Sequence, residues 1–413
     1  MSNYRVGLYT LAMAIPLLAA SKTEPNFSRD VAPIFYKSCA ECHRNGEAAP
    51  MQLLSYQEVR PWAKAIRERV VTRAMPPWLA DPKHGQFVND RSLSQKEIDT
   101  IAAWVDAGAP EGNPRELPPL PKFTEGWVIG EPDVVIKLEQ PVPVAATGVI
   151  PYQYFVVPTH FTEDKWVQSA EIRPGNRAVV HHVIVSILEP GKELSGFGAG
   201  AFGRLPGLVG FAPGEQPKIL PTGVAKMVKA GSKLVFQMHY TPNGKEATDQ
   251  THVGIRFARD PVRKYSRGGM IPNIGIRIPP GDPNYEAKAS WTASDDVRLI
   301  SFMPHMHIRG KDFKYTAVYP DGRSEVLLNV PRYDFNWQLI YRPKDGILLP
   351  KGTRIDVVAH YDNSPNNKFN PDPTKEVRWG PQTWEEMMIG WFEYTREDED
   401  LTKTEPRPSG SGL

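Results

Sequence analysis

The hydrophobic pattern of the N-terminal quarter of the chain has helical spacing. Apolar side chains recur every three or four positions over residues 55–74, which predicts an amphipathic helix there. An earlier helix is expected to begin near Ser28. A third begins at Ser94, where S-Q-K-E forms a capping box, and ends at Gly108. These helices together are enough for one small all-α domain.

After the proline-rich residues 110–126 the pattern changes to short apolar runs, several of period two, which is typical of β-strands. The 41 prolines and 33 glycines of the chain agree with frequent turns between short strands. Roughly 270 residues are too many for one sandwich, so we expect two, which meet within residues 261–272. The predicted strands cover residues 133–138, 152–157, 178–187, 233–240, 253–257, 297–303, 326–330 and 353–359.

The 413 residues are therefore expected to form several domains. The expected fold is a small all-α domain over residues 21–109, a stiff linker over 110–126, and two all-β sandwiches of the jelly-roll type. The two sandwiches are assigned to residues 127–268 and 269–395. Residues 396–413 are acidic and then rich in proline, serine and glycine, which predicts a disordered tail.

Residues 1–20 have the composition of a secretory signal peptide. One positive charge, Arg5, precedes an uncharged apolar run that ends in the small residues Ala19 and Ala20. An uncleaved membrane anchor is the alternative. No later segment is apolar and long enough to span a bilayer. We therefore expect a periplasmic or secreted protein with no membrane span after cleavage.

The charge balance bears on the class of partner. The chain has 49 basic and 47 acidic side chains, so its net charge is close to zero. Such a balance argues against a nucleic acid or an anionic membrane surface as the partner.

Residues 39–43 read C-A-E-C-H, the C-x-x-C-H signature of covalent c-type haem attachment. Cys39 and Cys42 would form the two thioethers, and His43 would be an axial iron ligand. These are the two cysteines of the chain, and the alternative interpretations are a chance motif or a disulfide. A helix, this motif and further helices within one small domain resemble the layout of a class I cytochrome c. We therefore predict one covalent haem c in a cytochrome c domain.

The sixth ligand of the iron is expected on a loop between two helices. Met75 lies in M-P-P-W on such a loop, and the two prolines would hold the thioether rigidly. A histidine–methionine pair raises the reduction potential of a haem. Met51 is a rival, and a methionine in the core is the other alternative.

Histidines are grouped along the second half of the chain. His305 and His307 are two residues apart in a strand pattern and would share one face of a sheet. His181 and His182 are adjacent, so both can reach one metal only at a strand end or an irregularity. The alternative for each pair is a set of structural or surface histidines.

Two further residues complete a possible donor set. His239 stands at the end of a strand pattern, in Q-M-H-Y, and Met387 follows two glutamates near the end of the last predicted domain. Each by itself would be interpreted as structural. Imidazole suits copper, and a thioether favours Cu(I), whereas methionine is not a usual zinc ligand.

Four short motifs of this half resemble one known family. They are V-H-H-V at 180–183, Q-M-H-Y at 237–240, H-M-H at 305–307 followed by G-K at 310–311, and E-M at 386–387. Their order and character are similar to those of the copper type II, ascorbate-dependent monooxygenases, which include the peptidylglycine α-hydroxylating and dopamine β-hydroxylating enzymes. The resemblance extends from about residue 126 to residue 394.

The resemblance implies two jelly-roll domains with one copper each. One copper would pass electrons, and the other would bind O2 and hydroxylate a C–H bond. It implies that the electron-transfer copper is held by His181, His182 and His239. It implies that the oxygen-activating copper is held by the catalytic residues His305, His307 and Met387, with Met388 as a neighbour that could be confused with Met387.

The chain also departs from the family. Secreted members contain several disulfides, whereas no cysteine remains here after haem attachment. Met303 stands where the peptide-acting enzyme has an arginine for the substrate carboxylate, and Ile389 and Trp391 replace further polar contacts. A peptidylglycine substrate is therefore not expected, and a small apolar or aromatic organic substrate fits better. Core packing is the alternative role of these three residues.

The sequence thus predicts an exported copper-dependent monooxygenase in which a fused c-type haem relays electrons from an external donor. The alternative is a non-catalytic haem and copper protein that transfers electrons or binds copper, because a fold resemblance does not establish turnover.

Overall fold

The computed structural model describes residues 24–403, apart from residues 46, 48, 125, 195–204, 213–214 and 216. The predicted signal peptide, residues 1–20, and residues 404–413 of the predicted tail lie outside the described residues. Within the described part, no helix has the length and apolar character that crossing a membrane requires.

The N-terminal segment contains short helices around a small core. Its largest buried side chains are Phe27, Phe35 and Trp104, and the indole of Trp104 donates a hydrogen bond to the carbonyl of Pro110 at 2.9 Å. The helices are a π-helical turn (Phe27–Val31), α1 (Ala32–Ser38), α2 (Tyr56–Val59), a 3-10 turn (Arg60–Trp62), α3 (Ala63–Val71), α4 (Gln95–Asp106) and a 3-10 turn (Pro114–Glu116).

Two details of these helices relate directly to the sequence. The capping box at Ser94 and Glu97 is present at the start of α4, as predicted. The single helix predicted over 55–74 is instead divided into α2, a 3-10 turn and α3. Pro61 lies at the division, and a proline inside a helix removes one backbone hydrogen bond.

The prediction of a separate all-α cytochrome c domain is wrong. The structure is mostly β, with 35% of residues in strands and 12% in helices, and the helices are short. After α3 the chain inserts residues 78–80 into the hydrophobic core of the second sandwich, where the ring of Trp78 lies 4.9 Å from that of Tyr341. Phe87 forms a β-bridge with Pro343. The segment thus divides its apolar residues between its own helices and a neighbouring core, so it does not close into an independent domain.

The first sandwich places its histidines on one sheet. A four-stranded sheet in the order β3-β9-β5-β6 shares a hydrophobic core with a larger sheet in which β1-β11-β4-β8-β12 run in order and β7 pairs with β4. Its strands are β1 (Val134–Lys137), β2 (Val142–Val144), β3 (Gln153–Pro158), β4 (Lys165–Arg173), β5 (Val180–Leu188), β6 (Gly207–Phe211), β7 (Lys218–Ile219), β8 (Val224–Val228), β9 (Lys233–Tyr240), β10 (Ala247–Asp249), β11 (His252–Phe257) and β12 (Lys264–Tyr265).

The second sandwich follows directly. Its two four-stranded sheets have the orders β13-β22-β16-β19 and β15-β20-β17-β18, and Phe302, Tyr315 and Phe392 are among the rings buried between them. Its strands are β13 (Arg267–Pro272), β14 (Arg277–Ile278), β15 (Tyr285–Thr292), β16 (Val297–His305), β17 (Gly310–Val318), β18 (Ser324–Val330), β19 (Ile347–Leu349), β20 (Arg354–Tyr361), β21 (Val377–Arg378) and β22 (Ile389–Arg396).

The segment after β22 is ordered as far as it is described. Glu399 is buried and accepts two hydrogen bonds from the guanidinium of Arg267, both at 2.7 Å. The predicted disordered tail therefore does not begin at residue 396, because a buried ion pair holds the chain against β13 beyond that point.

The two sandwiches meet across a buried cluster of charges. Glu393 on β22 lies between Lys218 and Lys226 of the first sandwich, with Lys226 Nζ 2.9 Å from its carboxylate. Glu215 adds a second contact, since it accepts a hydrogen bond from the backbone N–H of Ile340 at 3.1 Å. These contacts fix how the strand ends that carry the histidines face one another.

Candidate metal centres

Three histidines of the first sandwich converge on one point. Nδ1 of His182 lies 3.3 Å from Nδ1 of His181 and 3.3 Å from Nδ1 of His239, and one ring nitrogen from each residue lies within 4.8 Å of the others. Nitrogens bound to one metal at about 2.0 Å in a tetrahedral arrangement are about 3.3 Å apart. The spacing of this cluster therefore fits a shared metal ion.

An irregularity in β5 explains how two adjacent histidines reach the same point. His182 pairs with His239 across the sheet, and the register between β5 and β9 shifts between Val180 and His182. In a regular strand, neighbouring side chains point to opposite faces. The bulge removes that constraint for His181, which agrees with the expectation that two adjacent histidines need a strand irregularity to reach one point.

The electrostatics of this cluster favour neutral imidazoles. Burial lowers the pKa of His181, His182 and His239, in the last case to about 4. A proton can be shared by only two of the three facing Nδ1 atoms at a time. A metal cation can instead accept the lone pairs of all three, so it pairs these buried nitrogens better than protons do. The donor set fits copper, for which neutral imidazole is a suitable ligand.

The second pair of histidines lies at the end of β16. Nδ1 of His305 is 2.6 Å from Oε1 of Gln338, and Nδ1 of His307 is 3.1 Å from the carbonyl oxygen of Glu385. Both acceptors require a proton on Nδ1, which leaves Nε2 of each ring as the lone pair available to a metal. Burial lowers the pKa of both imidazoles, that of His307 to about 3, and thus favours the neutral ligand form.

A buried carboxylate holds the loop that carries His307. Glu386 accepts hydrogen bonds from the backbone N–H groups of His307 and Arg309, both at 2.8 Å. Burial raises the pKa of Glu386 to about 8. The hydroxyl of Tyr333 accepts a hydrogen bond from the N–H of Met306 and donates one to its carbonyl, at 3.1 and 2.7 Å. The backbone between the two histidines is therefore fixed on both sides.

Burial distinguishes Met387 from Met388. The pairing of β16 with β22 ends at His305 and Ile389, and Met387 lies two residues before Ile389. The side chain of the preceding residue, Glu386, accepts a hydrogen bond from the backbone N–H of His307. Met388 is fully buried in the hydrophobic core, whereas Met387 is half-buried. The placement agrees with Met387 as the methionine on the histidine side, although no hydrogen bond or ring contact joins its sulfur to either imidazole among the described residues.

The two clusters are close neighbours across the contact between the sandwiches. The ring of Phe335 stacks on that of His181, with centroids 6.0 Å apart and planes 18° apart. The same ring meets His307 edge-on at 6.0 Å. The imidazoles of His305 and His307 also contribute to lowering the pKa of His182.

Sequence reasoning missed Phe335 and Gln338, which contact the two clusters. Both lie in the irregular segment between β18 and β19, where the chain has no periodic pattern. A glutamine or phenylalanine in a loop carries no motif of its own. No local signal in the sequence would have placed them beside the histidines.

The C-x-x-C-H motif has a geometry that is compatible with haem attachment. Cys39 and Cys42 are free thiols, not a disulfide, and burial raises the pKa of Cys39 to about 12. Nδ1 of His43 lies 3.2 Å from the carbonyl oxygen of Met51, so its Nε2 remains as the ligand atom. Such a tautomer is what an axial haem ligand requires, and the residues therefore fit the group.

The two candidate sixth ligands of the predicted haem lie in different surroundings. Met51 packs against the core of the helical segment, and its carbonyl already faces His43. Met75 is half-buried on the loop after α3, whose Thr72 and Arg73 carbonyls accept hydrogen bonds from Arg332. Met75 therefore stays a prediction.

The apolar residues proposed to line a substrate site share one face of the second sandwich. Met303 pairs with Trp391, and His305 pairs with Ile389, so the four side chains lie together. Met303 and Trp391 are partly exposed, whereas Ile389 is 6% exposed. Two of the three residues thus remain accessible beside His305.

Comparison with known proteins adds no family to this description. No protein-family model matches the chain, and no curated protein is similar to it in sequence. Among solved structures, the VP2 subviral particle of infectious bursal disease virus is 7% identical, covers 63% of this chain and 70% of its own, and has a TM-score of 0.20. The lipid-containing bacteriophage PM2 is 7% identical, covers 62% of this chain and 75% of its own, and has a TM-score of 0.16. Likenesses at this level support no conclusion about fold or function.

Proposed function

We propose that this protein is a copper-dependent monooxygenase with a covalently attached haem. The observation that carries the proposal is the pair of adjacent histidine clusters, one with three converging Nδ1 atoms and one in which two imidazoles are oriented through their Nδ1 atoms. Their motifs resemble those of the copper type II, ascorbate-dependent monooxygenases. The reaction would insert one oxygen atom of O2 into a C–H bond and reduce the other to water, with two electrons and two protons supplied from outside.

The roles of the residues follow from their surroundings. His181, His182 and His239 would hold the copper through which electrons enter, and His305, His307 and Met387 would hold the copper at which O2 is activated. Copper supplies the one-electron chemistry of the reaction when it is bound at both clusters. The chain orients the second pair through Gln338, Glu385 and Glu386, which fix the tautomer and the backbone.

The substrate would be a small apolar or aromatic molecule. Met303 and Trp391 offer a partly exposed apolar surface on the face that carries His305. Ile389 supports this surface from within the sheet, since it is buried. Such a surface would bind an aliphatic or aromatic group of the substrate by burial of apolar area.

The haem would deliver electrons from an external donor to the first cluster. Glu47, four residues after His43, forms an ion pair with Arg177 at 3.1 Å. Arg177 precedes β5, the strand that presents His181. This contact supports a relay because it fixes the attachment loop beside the start of the histidine strand. Haem attachment also agrees with the proposal of a periplasmic or secreted location.

Replacement of Met387 by leucine tests the catalytic proposal. The variant should retain copper at the three-histidine cluster and lose O2-dependent substrate hydroxylation, because leucine lacks the thioether. Copper content and hydroxylated product are measured on the full chain. Met388→Leu is the matched control, because a volume-conserving swap in the core costs less than about 1.5 kcal/mol.

The outcome also separates the enzyme from a non-catalytic carrier. The monooxygenase proposal fails if O2 merely oxidises the reduced coppers and the unaltered protein hydroxylates no candidate apolar substrate. Equal turnover in Met387→Leu and the unaltered protein would contradict the assignment of Met387.

A second experiment addresses the relay. The double variant Cys39→Ala, Cys42→Ala should lack the c-type haem spectrum but retain both coppers. Turnover with a protein electron donor should be lost, and turnover with a small chemical reductant should remain. Unchanged turnover with the protein donor would contradict the relay.

A further inference from the structure

The segment between β18 and β19 contacts both histidine clusters and the loop that leads to Met75. Arg332 donates hydrogen bonds to the carbonyls of Thr72 and Arg73, on the loop that leads to Met75. Gln338 accepts a hydrogen bond from His305. Between these two ends, Phe335 contacts an imidazole of each copper cluster.

The geometry of Phe335 is specific. Its ring lies nearly parallel to that of His181 and nearly perpendicular to that of His307, with both centroid distances at 6.0 Å. The two imidazoles can therefore be separated by no more than twice that distance. Aromatic rings in stacked and edge-on contacts gain favourable interactions beyond burial alone, so both contacts bias the rings toward this arrangement.

The backbone around Phe335 is restrained by its own segment. Asp334 accepts hydrogen bonds from the N–H of Asn336 at 2.9 Å and from its side-chain amide at 3.0 Å. The amide of Gln338 donates to the carbonyl of Phe335 at 3.3 Å, while its oxygen faces His305. The residue that fixes the tautomer of His305 thus also holds Phe335, which links the two contacts mechanically.

We propose that Phe335 is a positioning residue that sets the separation of the two copper centres and the rate at which electrons pass between them. This inference rests on the proposed function for the identity of the metals. Phe335 has no ligand atom. It acts by contacting His181 and His307 with the same ring, so that the two sandwiches present their clusters at a short distance limited by these two contacts.

The test uses the full-length protein loaded with Cu(II). Pulsed dipolar electron paramagnetic resonance measures the copper–copper distance, and metal analysis measures stoichiometry. Phe335→Ala should retain two coppers but shift the distance distribution to longer and broader values. After rapid reduction of the first centre, transfer to the second should slow by about tenfold.

Two matched variants separate positioning from folding. Phe335→Trp keeps an aromatic ring and should restore a narrow distance distribution. Lys344→Ala alters an exposed side chain of the same segment that the positioning argument does not use, and should leave both readouts unchanged. If Phe335→Ala alters thermal unfolding but neither the distance nor the transfer rate, the ring merely packs and the inference is overturned.

The outcomes also distinguish this inference from the proposed function. If the distance responds to Phe335→Ala but the unaltered protein hydroxylates no substrate, the positioning role stands and the monooxygenase proposal fails. If the unaltered protein is active and its copper–copper distance is insensitive to Phe335→Ala, the function stands and the positioning role fails. A protein that does not bind two coppers would contradict both.

Discussion

The two histidine clusters are built on different principles. In the first cluster the described hydrogen bonds join the rings to one another, through Nδ1 atoms 3.3 Å apart. In the second cluster each Nδ1 faces an acceptor supplied by the protein, Gln338 for His305 and the Glu385 carbonyl for His307. A cation would complete the first cluster, whereas the second is oriented by hydrogen bonds that the protein itself supplies.

This difference fits the separate roles that are proposed for the two clusters. A site that only passes electrons needs three imidazoles at the right spacing, and the bulge at His181 provides it. A site that activates O2 benefits from fixed tautomers and an anchored backbone, because misplacement of a reacting group is costly. The second cluster has both, through Gln338 and Glu386.

Removal of the central imidazole of the first cluster should have the largest effect. His182→Ala deletes the ring whose Nδ1 contacts both partners, so one of the two proposed coppers should no longer bind. The second copper should remain, because its ligands have their own supports. Copper analysis after dialysis measures the result. His252→Ala, which alters a histidine of the same sandwich outside the cluster, should retain both metals. Loss of both coppers in His182→Ala would show that the clusters do not assemble separately.

Removal of an outer support should have a smaller effect, confined to the second cluster. Gln338→Leu deletes the acceptor that holds the Nδ1 proton of His305, and loss of such a partner costs about 10- to 100-fold in metal affinity. Copper affinity at each site is measured by competition with a chelator. Gln338→Glu retains an acceptor oxygen and should restore most of the affinity. An equal loss at the three-histidine site would contradict the contrast between the clusters.

The smallest effect on metal binding is expected from the charges that hold the two clusters in one arrangement, which act on the stability of the fold. Burial lowers the pKa of Lys218 to about 7, and the nearby Lys226 and Arg342 oppose the favourable effect of Glu393. Because the folded pKa lies below the ordinary value of 10.5, the unfolded chain binds more protons between pH 7 and 10.5. Stability should therefore rise with pH in that window, by at most about 1.4 kcal/mol per pH unit from this group.

Lys218→Met tests that contribution. The variant leaves one ammonium, Lys226, opposite the single carboxylate of Glu393 and should remove the rise. Urea unfolding of the full chain at pH 7 and pH 9.5 gives the free energies. An unchanged slope in the variant would assign the pH dependence to other groups. A stability lower than that of the unaltered protein at both pH values would mean that Lys218 is a net stabiliser.

Local patterns made part of this structure predictable. The capping box at Ser94 and the strand character around His182 and His239 are visible in residue type and spacing alone. The irregularity at His181 could be anticipated, because the side chains of adjacent residues in a regular strand point to opposite faces and cannot reach one point. These features depend on contacts between near neighbours or between strands of one sheet.

Long-range contacts account for what the sequence did not reveal. Phe335 and Gln338 lie in a segment without periodicity, and they contact histidines that are distant from them in the sequence. The residues around Trp78 looked like part of a helical domain, because an apolar residue in a pattern does not say which core will bury it. The separate all-α domain was therefore predicted wrongly, although its individual helices were placed nearly correctly.

The insertion of residues 78–80 into the second sandwich has a consequence for modularity. A chain cut just before the first sandwich would uncover an apolar hollow beside Tyr341, at roughly 2 kcal/mol for each large side chain withdrawn. The N-terminal segment therefore cannot be replaced without disturbing the second sandwich, whereas an independent domain joined only by a linker could be. Residues 78–80 of the segment are committed to the core of the second sandwich, so changes on the segment's solvent-facing surface should be tolerated better than changes there.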